Sequence, residues 1–260
     1  MLLDTSGAPA GADTMSADEK ENLAVPRPDG LELSLVIPVY NGEAGIEATL
    51  RQWGEVLSGL RREIIVLDDG STDGTGEVLD RLAASGALPG LSVVHKPNSG
   101  HGPTIYRGYA TARGDWVFQA DSDNEVDPAY FPRLWGIRER ADLVLGRRRS
   151  RQENWVRRAA TGLIPFATWP WSRRLLRDIN VPFRLYRRDK LVTGLKKVRP
   201  DAFAPNALLS IVFARGGERI VSVPVPHRHD GASGKSLAGA RFFRALRRAW
   251  KDLRHTPAEG

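Results

Sequence analysis

The chain has 260 residues, no cysteine and a formal net charge of +7. The absence of cysteine excludes disulfides, thiolate metal sites and cysteine nucleophiles. No apolar run approaches the roughly 20 residues that span a bilayer, and no basic segment followed by an apolar one marks a signal peptide at the N-terminus. We therefore expect a cytoplasmic protein with one large α/β domain or two small ones.

The charge is unevenly distributed along the chain. Residues 1–30 carry six acidic and two basic side chains and show no hydrophobic periodicity, which predicts a disordered leader. Residues 147–190 carry thirteen basic and three acidic side chains. Such a block attracts polyanions, which include nucleic acid, anionic lipid headgroups and phosphorylated substrates, although a solvated basic face has the same composition.

Strands and helices alternate in the first half of the sequence. Hydrophobic patterning predicts, in chain order, a strand at 33–39, a helix at 44–60, a strand at 63–67, a helix at 76–84, a strand at 91–95, a helix at 104–112 and a strand at 115–119. This order predicts an α/β fold with a doubly wound, mostly parallel sheet flanked by helices. Ligands of such sheets bind beyond the carboxyl ends of the strands.

The second half is less regular. We predict a helix at 130–140, strands at 142–145 and 183–186, a helix at 206–214, a strand at 220–225 and an amphipathic helix at 237–254. The resulting division is a leader at 1–30, a main α/β domain at 31–236, and a C-terminal helix and tail at 237–260.

Two carboxylates at the end of the fourth predicted strand are the most informative local feature. Asp121 and Asp123 follow the apolar run 116–118. Carboxylates at the end of a buried strand are costly unless a cation lies beside them. Mg²⁺ or Mn²⁺ bridging a diphosphate fits, because hard cations take carboxylate oxygens and keep positions open for phosphate. Turns are also rich in Asp, so the pair alone does not establish a metal site.

Three motifs in this order resemble glycosyltransferase family 2, whose members have the GT-A fold. The motifs are Val36-Ile37-Pro38-Val39-Tyr40-Asn41, then Asp68-Asp69-Gly70-Ser71, then Ala120-Asp121-Ser122-Asp123. Each motif lies at the end of a predicted strand. The resemblance implies an enzyme that binds a nucleoside-diphosphate sugar with its first half.

The resemblance also implies roles for the donor-binding residues. Pro38 and Tyr40 would pack beside the base, with Asn41 in the same loop. Asp68 or Asp69 would accept hydrogen bonds from the base or the ribose.

A second group of residues is implied for the cation, Mg²⁺ or Mn²⁺. Asp121 would lie near the ribose and the metal, Asp123 would bind the metal, and Glu125 would be a further metal ligand. The cation would stabilise the departing nucleoside diphosphate as a Lewis acid.

Four segments of the second half follow one another at 146–148, 157–161, 178–187 and 223–236. Their order resembles that of polyprenyl-phosphate sugar transferases similar to dolichyl-phosphate mannose synthase. In this resemblance Arg148, Arg157 and Thr161 hold the lipid phosphate. The donor diphosphate would be covered by a loop that contains Arg228, Ser233 and Lys235.

The implied reaction is a metal-dependent, inverting transfer of a hexose from a nucleoside-diphosphate sugar to a polyprenyl phosphate. Asp123, Arg148 and Arg157 would carry the catalysis, and GDP-mannose is slightly favoured over a UDP-hexose as donor. No acid pair that resembles a general base follows residue 130. A phosphate acceptor is already an anion and needs no base, so this absence agrees with a lipid phosphate.

Two alternatives stay open. One is a family 2 transferase with a soluble saccharide or small-molecule acceptor. The other is a basic nucleic-acid-binding protein, although residues 147–190 match no RNA-binding motif and we expect no nucleic-acid partner. Phe166, Trp169 and Trp171 lie among basic residues, a pattern that suits a membrane interface as well as a buried helix pair. We therefore expect peripheral contact with the inner face of the membrane.

Overall fold

The computed structural model describes residues 28–148 and 180–226, and this part of the chain contains a seven-stranded sheet. The strands are β1 (Leu33–Val39), β2 (Arg62–Asp68), β3 (Leu91–His95), β4 (Trp116–Gln119), β5 (Leu143–Arg148), β6 (Arg184–Arg187) and β7 (Ile220–Val225). Their order across the sheet is β3-β2-β1-β4-β6-β5-β7.

Six α-helices accompany these strands in the described residues. They are α1 (Ile46–Val56), α2 (Thr75–Ser85), α3 (His101–Thr111), α4 (Phe131–Trp135), α5 (Arg188–Leu195) and α6 (Pro205–Arg215). Short 3₁₀ turns at Pro128–Tyr130 and Arg138–Arg140 flank α4.

The first four strands run parallel, as the alternating pattern predicted. All seven residues of β1 are buried, as expected for a strand covered by helices on both faces. Val39 pairs with Asp68, which pairs with His95, so β1, β2 and β3 end at the same level. β4 ends earlier, with Gln119 opposite Val36. The residues that follow β4 therefore lie beside the end of β1.

One strand interrupts the parallel order. β6 lies between β4 and β5 and runs antiparallel to both, whereas β5 and β7 are parallel. The prediction of a mostly parallel sheet is confirmed, and the reversal at β6 is the exception that periodicity alone does not show. Because β5 and β7 run in the direction of β4, their carboxyl ends lie at the same edge of the sheet as the ends of the first four strands.

Aromatic side chains fill the core beside the middle of the sheet. One group joins α1, α4, β4 and the start of β6 and consists of Trp53, Phe118, Phe131 and Phe183, with ring centroids 4.8–6.1 Å apart. A second group joins α3, β6 and α6 and consists of Tyr109, Tyr186 and Phe213. These contacts fix α3 and α6 against β6, the strand next to the one that the paired carboxylates follow.

In the second half, one predicted helix is wrong in its length and one observed helix was not predicted. The single helix predicted at 130–140 is interrupted, since α4 ends at Trp135 with Gly136 as its C-cap. Helix α5 was not predicted, because it follows β6 without a loop or a side-chain cap and its eight residues give little periodicity. The predicted helix at 237–254 and residues 1–27 of the predicted leader lie outside the described residues.

Candidate active site

A cavity of about 480 Å³ opens at the carboxyl ends of β1, β2 and β4. Its walls include Pro38, Tyr40, Asp69, His101, Asp121 and Asp123. The edge position is the one expected for a ligand of a doubly wound sheet. The structure thus brings together five residues predicted for the nucleotide sugar or the metal, and it adds His101, which the sequence analysis did not single out. We call this cavity the donor pocket.

The apolar side of the donor pocket is formed by the end of β1. The Tyr40 side chain is 52% exposed, although most large apolar side chains of the described residues are buried. Pro38 precedes it by two residues and lies on the same wall. An open aromatic ring at a strand end provides a flat surface on which a nucleobase can stack.

Asp69 is held in place by a buried ion pair with Lys96. Its carboxylate contacts the Nζ atom of Lys96, and both residues are less than 8% exposed. It also accepts hydrogen bonds from the backbone N–H of Ser99 and Gly100, each at 2.9 Å. Lys96 donates in addition to Thr104 Oγ1 at 3.2 Å. This arrangement holds the 97–100 loop and the start of α3 against the donor pocket.

Lys96 was missed by the sequence analysis. A lysine that follows a short strand is usually solvent-exposed, and only the tertiary structure shows that its ammonium lies beside Asp69.

Asp68 points away from the donor pocket, so that of the two predicted alternatives, Asp68 and Asp69, it is Asp69 that lines the cavity. Successive strand residues face opposite sides of the sheet, so Asp68 and Asp69 diverge. Asp68 Oδ1 accepts the N–H of Ser71 at 2.9 Å, and Oδ2 lies 2.8 Å from His95 Nδ1. The hydrogen bonds from Ser71 and His95 outweigh burial and lower the pKa of Asp68. Its carboxylate therefore stabilises the loop after β2 and does not line the donor pocket.

Asn41 also serves the loops, not the cavity. It has a positive φ of 52°. Its Oδ1 atom accepts the N–H of Thr72 at 2.8 Å, and its own N–H donates to Ser71 Oγ at 3.0 Å. Asn41 therefore joins the loop after β1 to the loop after β2 and does not line the donor pocket, although it was predicted as part of the donor-binding loop.

The paired carboxylates lie where β4 ends. Asp121 is partly exposed, and its Oδ1 atom accepts a hydrogen bond from Gln119 Nε2 at 3.0 Å. Asp123 is exposed, and its Oδ1 accepts the N–H of Glu125 at 3.1 Å. Asn124, which lies between Asp123 and Glu125, has a positive φ of 50°. Asp121 and Asp123 both line the donor pocket.

The three predicted metal ligands are not assembled in advance. In residues 28–148 and 180–226, no group of three or more His, Asp or Glu side chains is placed to hold a metal ion. Asp121 and Asp123 line the donor pocket, whereas Glu125 does not. Mg²⁺ and related hard cations are commonly held by one or two carboxylates together with substrate phosphates. The pair Asp121 and Asp123 fits that mode without Glu125.

The charge of the donor pocket supports a cation as well. Asp69, Asp121 and Asp123 line it, and no lysine or arginine of the described residues does. A divalent cation bound there would offset the repulsion between a diphosphate and the carboxylates of Asp121 and Asp123.

His101 lines the donor pocket and also a second cavity beside it, which is described below. It is the first residue of α3, and its Nε2 atom is 4.0 Å from Asp121 Oδ1. Burial lowers the pKa of the imidazole, while Asp69 and Asp123 act in the opposite direction. The ring nitrogens can form hydrogen bonds to a ligand at the junction.

A second cavity of about 530 Å³ adjoins the donor pocket and shares Gly100, His101 and Asp121 with it. Its other walls include Asn180, Arg199, Asp201, Phe203 and Asn206. Arg199 contacts Asp201 through two hydrogen bonds of 2.9 and 2.5 Å. We call this second cavity the junction cavity, because it meets the donor pocket at Asp121.

Close backbone packing shapes the wall between α3 and the segment before α6. A Cβ atom on Gly102 would lie 2.2 Å from the carbonyl oxygen of Ala202. Any side chain at position 102 would therefore push the two segments apart. Gly102 thus sets the width of the junction cavity.

The residues predicted for the acceptor phosphate lie mostly beyond the described part. Arg148 ends β5, and its backbone pairs with Val225 at the end of β7. Its main chain is therefore at the same edge of the sheet as Asp121. Arg157, Thr161, Arg228, Ser233 and Lys235 lie outside the described residues.

The helices described here do not cross a bilayer. Within residues 28–148 and 180–226, none combines the length and the apolar character that a membrane span requires.

Sequence comparison identifies relatives that act on a lipid phosphate. An undecaprenyl-phosphate 4-deoxy-4-formamido-L-arabinose transferase from Aeromonas hydrophila is 33% identical over 210 residues, which cover 80% of this chain and 63% of that protein. The corresponding transferase from Proteus mirabilis is 31% identical over 199 residues, covering 75% of this chain and 60% of the relative. The chain thus spans about three fifths of the length of these relatives.

Solved structures share the fold. Glucosyl-3-phosphoglycerate synthase from Mycobacterium tuberculosis, in a crystal structure with Mn²⁺, UDP and phosphoglyceric acid, superposes with a TM-score of 0.62 at 24% identity, over 96% of this chain and 86% of that one. TarS from S. aureus gives a TM-score of 0.55 at 18% identity, over 84% of this chain and 64% of that one. At these identities the likeness concerns the fold.

A match to a protein-family model identifies the family of this chain, and the match covers the strands that end at the donor pocket. The model "Glycosyl transferase family 2" matches residues 34–194, from β1 through α5. This range includes all three motifs on which the resemblance was based. The chain therefore belongs to glycosyl transferase family 2 and has the GT-A fold that its motifs predicted.

Proposed function

We propose that this chain is a divalent-metal-dependent, inverting glycosyltransferase that moves a sugar from a uridine-diphosphate sugar to a polyprenyl phosphate. The observation that carries the proposal is the meeting of two cavities at Asp121, one lined by three carboxylates and the other by neutral and paired polar groups. A donor that bridges both cavities would place its anomeric carbon near Asp121.

The nucleoside is assigned to the donor pocket. Tyr40 offers its exposed ring to the base, with Pro38 on the same wall. Asp69 already accepts from Lys96, Ser99 and Gly100. A carboxylate has about four acceptor positions, so one further donor from the base or ribose can be accommodated.

Asp121 and Asp123 are assigned to the cation that accompanies the diphosphate. A divalent cation bound there offsets the charge of the leaving nucleoside diphosphate and acts as a Lewis acid. The exposed position of Asp123 keeps its carboxylate accessible from the solvent side. The resemblance assigns Arg228, Ser233 and Lys235 to the opposite side of the diphosphate.

The transferred sugar is assigned to the junction cavity. A cavity of about 530 Å³ accommodates one monosaccharide with water. Asn206 and the Arg199–Asp201 pair present hydrogen-bonding groups suited to hydroxyls. Phe203, which is 42% exposed, adds an apolar surface.

The acceptor is assigned to the edge beyond β5. By resemblance, Arg148, Arg157 and Thr161 hold the lipid phosphate, and arginine is well suited to bidentate binding of phosphate. A phosphate oxygen attacks the anomeric carbon opposite the leaving diphosphate, which inverts its configuration. Because the nucleophile is an anion, no general base is required. A polyprenyl acceptor also requires peripheral contact with a membrane.

The relatives favour a uridine nucleotide and an undecaprenyl acceptor. The crystal structure from M. tuberculosis contains UDP with Mn²⁺, and the relatives from A. hydrophila and P. mirabilis carry undecaprenyl phosphate in their names. GDP-mannose, which the sequence resemblance slightly favoured, finds no support in these comparisons and is not retained.

The test is a two-phase transfer assay. Purified chain is incubated with Mn²⁺, undecaprenyl phosphate and a panel of UDP-sugars carrying a radiolabelled sugar, with GDP-mannose for comparison. We expect label from a UDP-sugar in the organic phase, and loss of this product when EDTA is added. Label that enters only a water-soluble product with an added saccharide would overturn the lipid acceptor and establish a soluble one.

A further inference from the structure

We infer that Gln119, Asn206 and Tyr109 form a hydrogen-bond chain of fixed direction that positions the Asp121 carboxylate for the donor and its cation. This inference rests on the proposed function, because it takes Asp121 to be a donor-side ligand. None of the three residues belongs to the sequence motifs, and none touches the donor pocket.

The three residues connect three elements to Asp121. Gln119 Nε2 donates to Asp121 Oδ1 at 3.0 Å. Asn206 Nδ2 donates to Gln119 Oε1 at 3.1 Å, and Tyr109 Oη donates to Asn206 Oδ1 at 2.7 Å. Gln119 ends β4, Asn206 is in the first turn of α6, and Tyr109 is in the last turn of α3. The Asp121 side chain is thereby tied to the helices that cover the sheet.

The direction of the chain is determined by chemistry. An ionised carboxylate only accepts hydrogen bonds, so Gln119 must present its NH₂ group to Asp121. Its carbonyl oxygen then faces Asn206, which must in turn present its NH₂ group. The Asn206 oxygen is left to accept from the Tyr109 hydroxyl. Burial raises the pKa of Tyr109 well above its ordinary value, so the hydroxyl keeps its proton and stays a donor.

Asn206, in the middle of the hydrogen-bond chain, is anchored by a buried arginine as well. Arg184 is fully buried, and its guanidinium donates to the backbone oxygen of Asn206 at 2.8 Å and to that of Val181 at 2.7 Å. Asn206 is therefore held by hydrogen bonds at its backbone oxygen and at both polar atoms of its side chain, Nδ2 and Oδ1. It also lines the junction cavity, so the chain links the proposed sugar site to Asp121.

The amide side chains of Gln119 and Asn206 are buried, and their presence is not explained by a gain in stability. Gln119 is fully buried and Asn206 is 2% exposed. Buried polar groups require complete hydrogen bonding to avoid a desolvation cost, which an apolar side chain of similar volume does not incur. A methionine at position 119 would suit the neighbouring aromatic core. The glutamine is explained by its contact with Asp121, whose Oδ1 atom it fixes in place.

The experiment measures cation binding without turnover. Binding of Mn²⁺ in the presence of UDP is followed by the electron paramagnetic resonance signal of free Mn²⁺, and thermal unfolding is recorded in parallel. We expect Gln119→Met to weaken Mn²⁺ binding about tenfold or more, as is typical when a group that orients a metal ligand is lost. Tyr109→Phe, three hydrogen bonds from the metal ligand oxygen, should weaken it about two- to fivefold.

Tyr106→Phe is the matched control. Tyr106 lies three residues before Tyr109 on α3, is buried, and donates to the Leu195 carbonyl at 3.3 Å outside the chain. It should lose comparable thermal stability with unchanged Mn²⁺ affinity. If Tyr109→Phe and Tyr106→Phe leave Mn²⁺ affinity equally unchanged, the inference is wrong while the proposed function stands. If the wild-type chain binds no Mn²⁺ with UDP, the proposed function fails, and the inference fails with it.

Discussion

At the residue scale, the roles of individual side chains follow from where each strand ends. Asp121 and Asp123 were predictable because they come directly after an apolar strand, and the structure places both on the wall of the donor pocket. Lys96, His101, Gln119 and Asn206 were not predictable in this way. Lys96, His101 and Asn206 acquire their roles through contact with residues distant in sequence, which one-dimensional spacing does not show. Gln119 contacts the nearby Asp121, but its orientation depends on the hydrogen bond from the distant Asn206.

Asp123 can be tested by removing its carboxylate. We expect Asp123→Ala to lower transfer about 100-fold or more, because a ligand of the cation is lost. The free energy of unfolding should change by no more than about 0.5 kcal/mol, since the side chain is exposed. The matched control is Glu55→Ala, which removes an exposed acid from α1. Full activity of Asp123→Ala at saturating Mn²⁺ would contradict the assignment.

Tyr40 can be tested through its ring and its hydroxyl separately. We expect Tyr40→Ala to weaken UDP binding about tenfold or more, because stacking of a base on an aromatic ring is lost. Tyr40→Phe keeps the ring and should bind UDP as the wild type does. Isothermal titration calorimetry with UDP and Mn²⁺ measures both. Equal weakening by the two substitutions would show that the hydroxyl, not the ring, makes the contact.

At the element scale, the parallel half of the sheet was largely predictable. The predicted bounds of β1, β3 and β7 agree with the structure, because each is an apolar run bounded by loop residues. The place of β6 between β4 and β5 was not predictable, since the hydrophobic pattern of a buried strand does not reveal its direction. The junction cavity depends on the approach of the segment before α6 to α3 at Gly102, which also has no local signal.

The buried pair of Lys96 and Asp69 joins the 97–100 loop to the end of β2. We expect Lys96→Met to lower the free energy of unfolding by about 3–5 kcal/mol, because it leaves a buried carboxylate without its counter-charge. The double variant Lys96→Met/Asp69→Asn removes both charges and should recover part of this loss. Urea denaturation measures both variants. A loss below about 1 kcal/mol in Lys96→Met would show that the backbone donors of Ser99 and Gly100 suffice.

His95 makes the junction of β2, β3 and α2 dependent on pH. Its Nδ1 and Nε2 atoms lie 2.8 Å from Asp68 and 3.1 Å from Asp80, and hydrogen bonds to these carboxylates raise the pKa of the imidazole. A raised folded-state pKa stabilises the fold below the unfolded value of about 6.5, and this contribution is lost as the pH rises through the folded value.

We therefore expect His95→Gln to destabilise the chain more at about pH 5.5 than at about pH 8.5. Urea denaturation of both proteins at the two pH values measures the difference. A loss that is equal at the two pH values would show that protonation of His95 contributes nothing to stability.

At the scale of the whole molecule, the fold brings the donor pocket, the junction cavity and the end of β5 to one edge of the sheet. The family and the fold could be predicted from the three motifs, because each lies at a strand end and their order matches the strand order. The residues that bind the acceptor could not be predicted from the sequence in the same detail. Of the residues predicted for it, the structure describes only the main chain of Arg148.

The most direct test of the central claim compares acceptors that differ only in the phosphate. The chain is given a labelled UDP-sugar, Mn²⁺ and either undecaprenyl phosphate or undecaprenol in the same detergent. We predict a labelled lipid with the phosphate and none with the alcohol, because the proposed arginines bind an anion, whereas a hydroxyl must first lose its proton to attack. Equal transfer to undecaprenol would contradict the account, and transfer to neither lipid would exclude a polyprenyl acceptor.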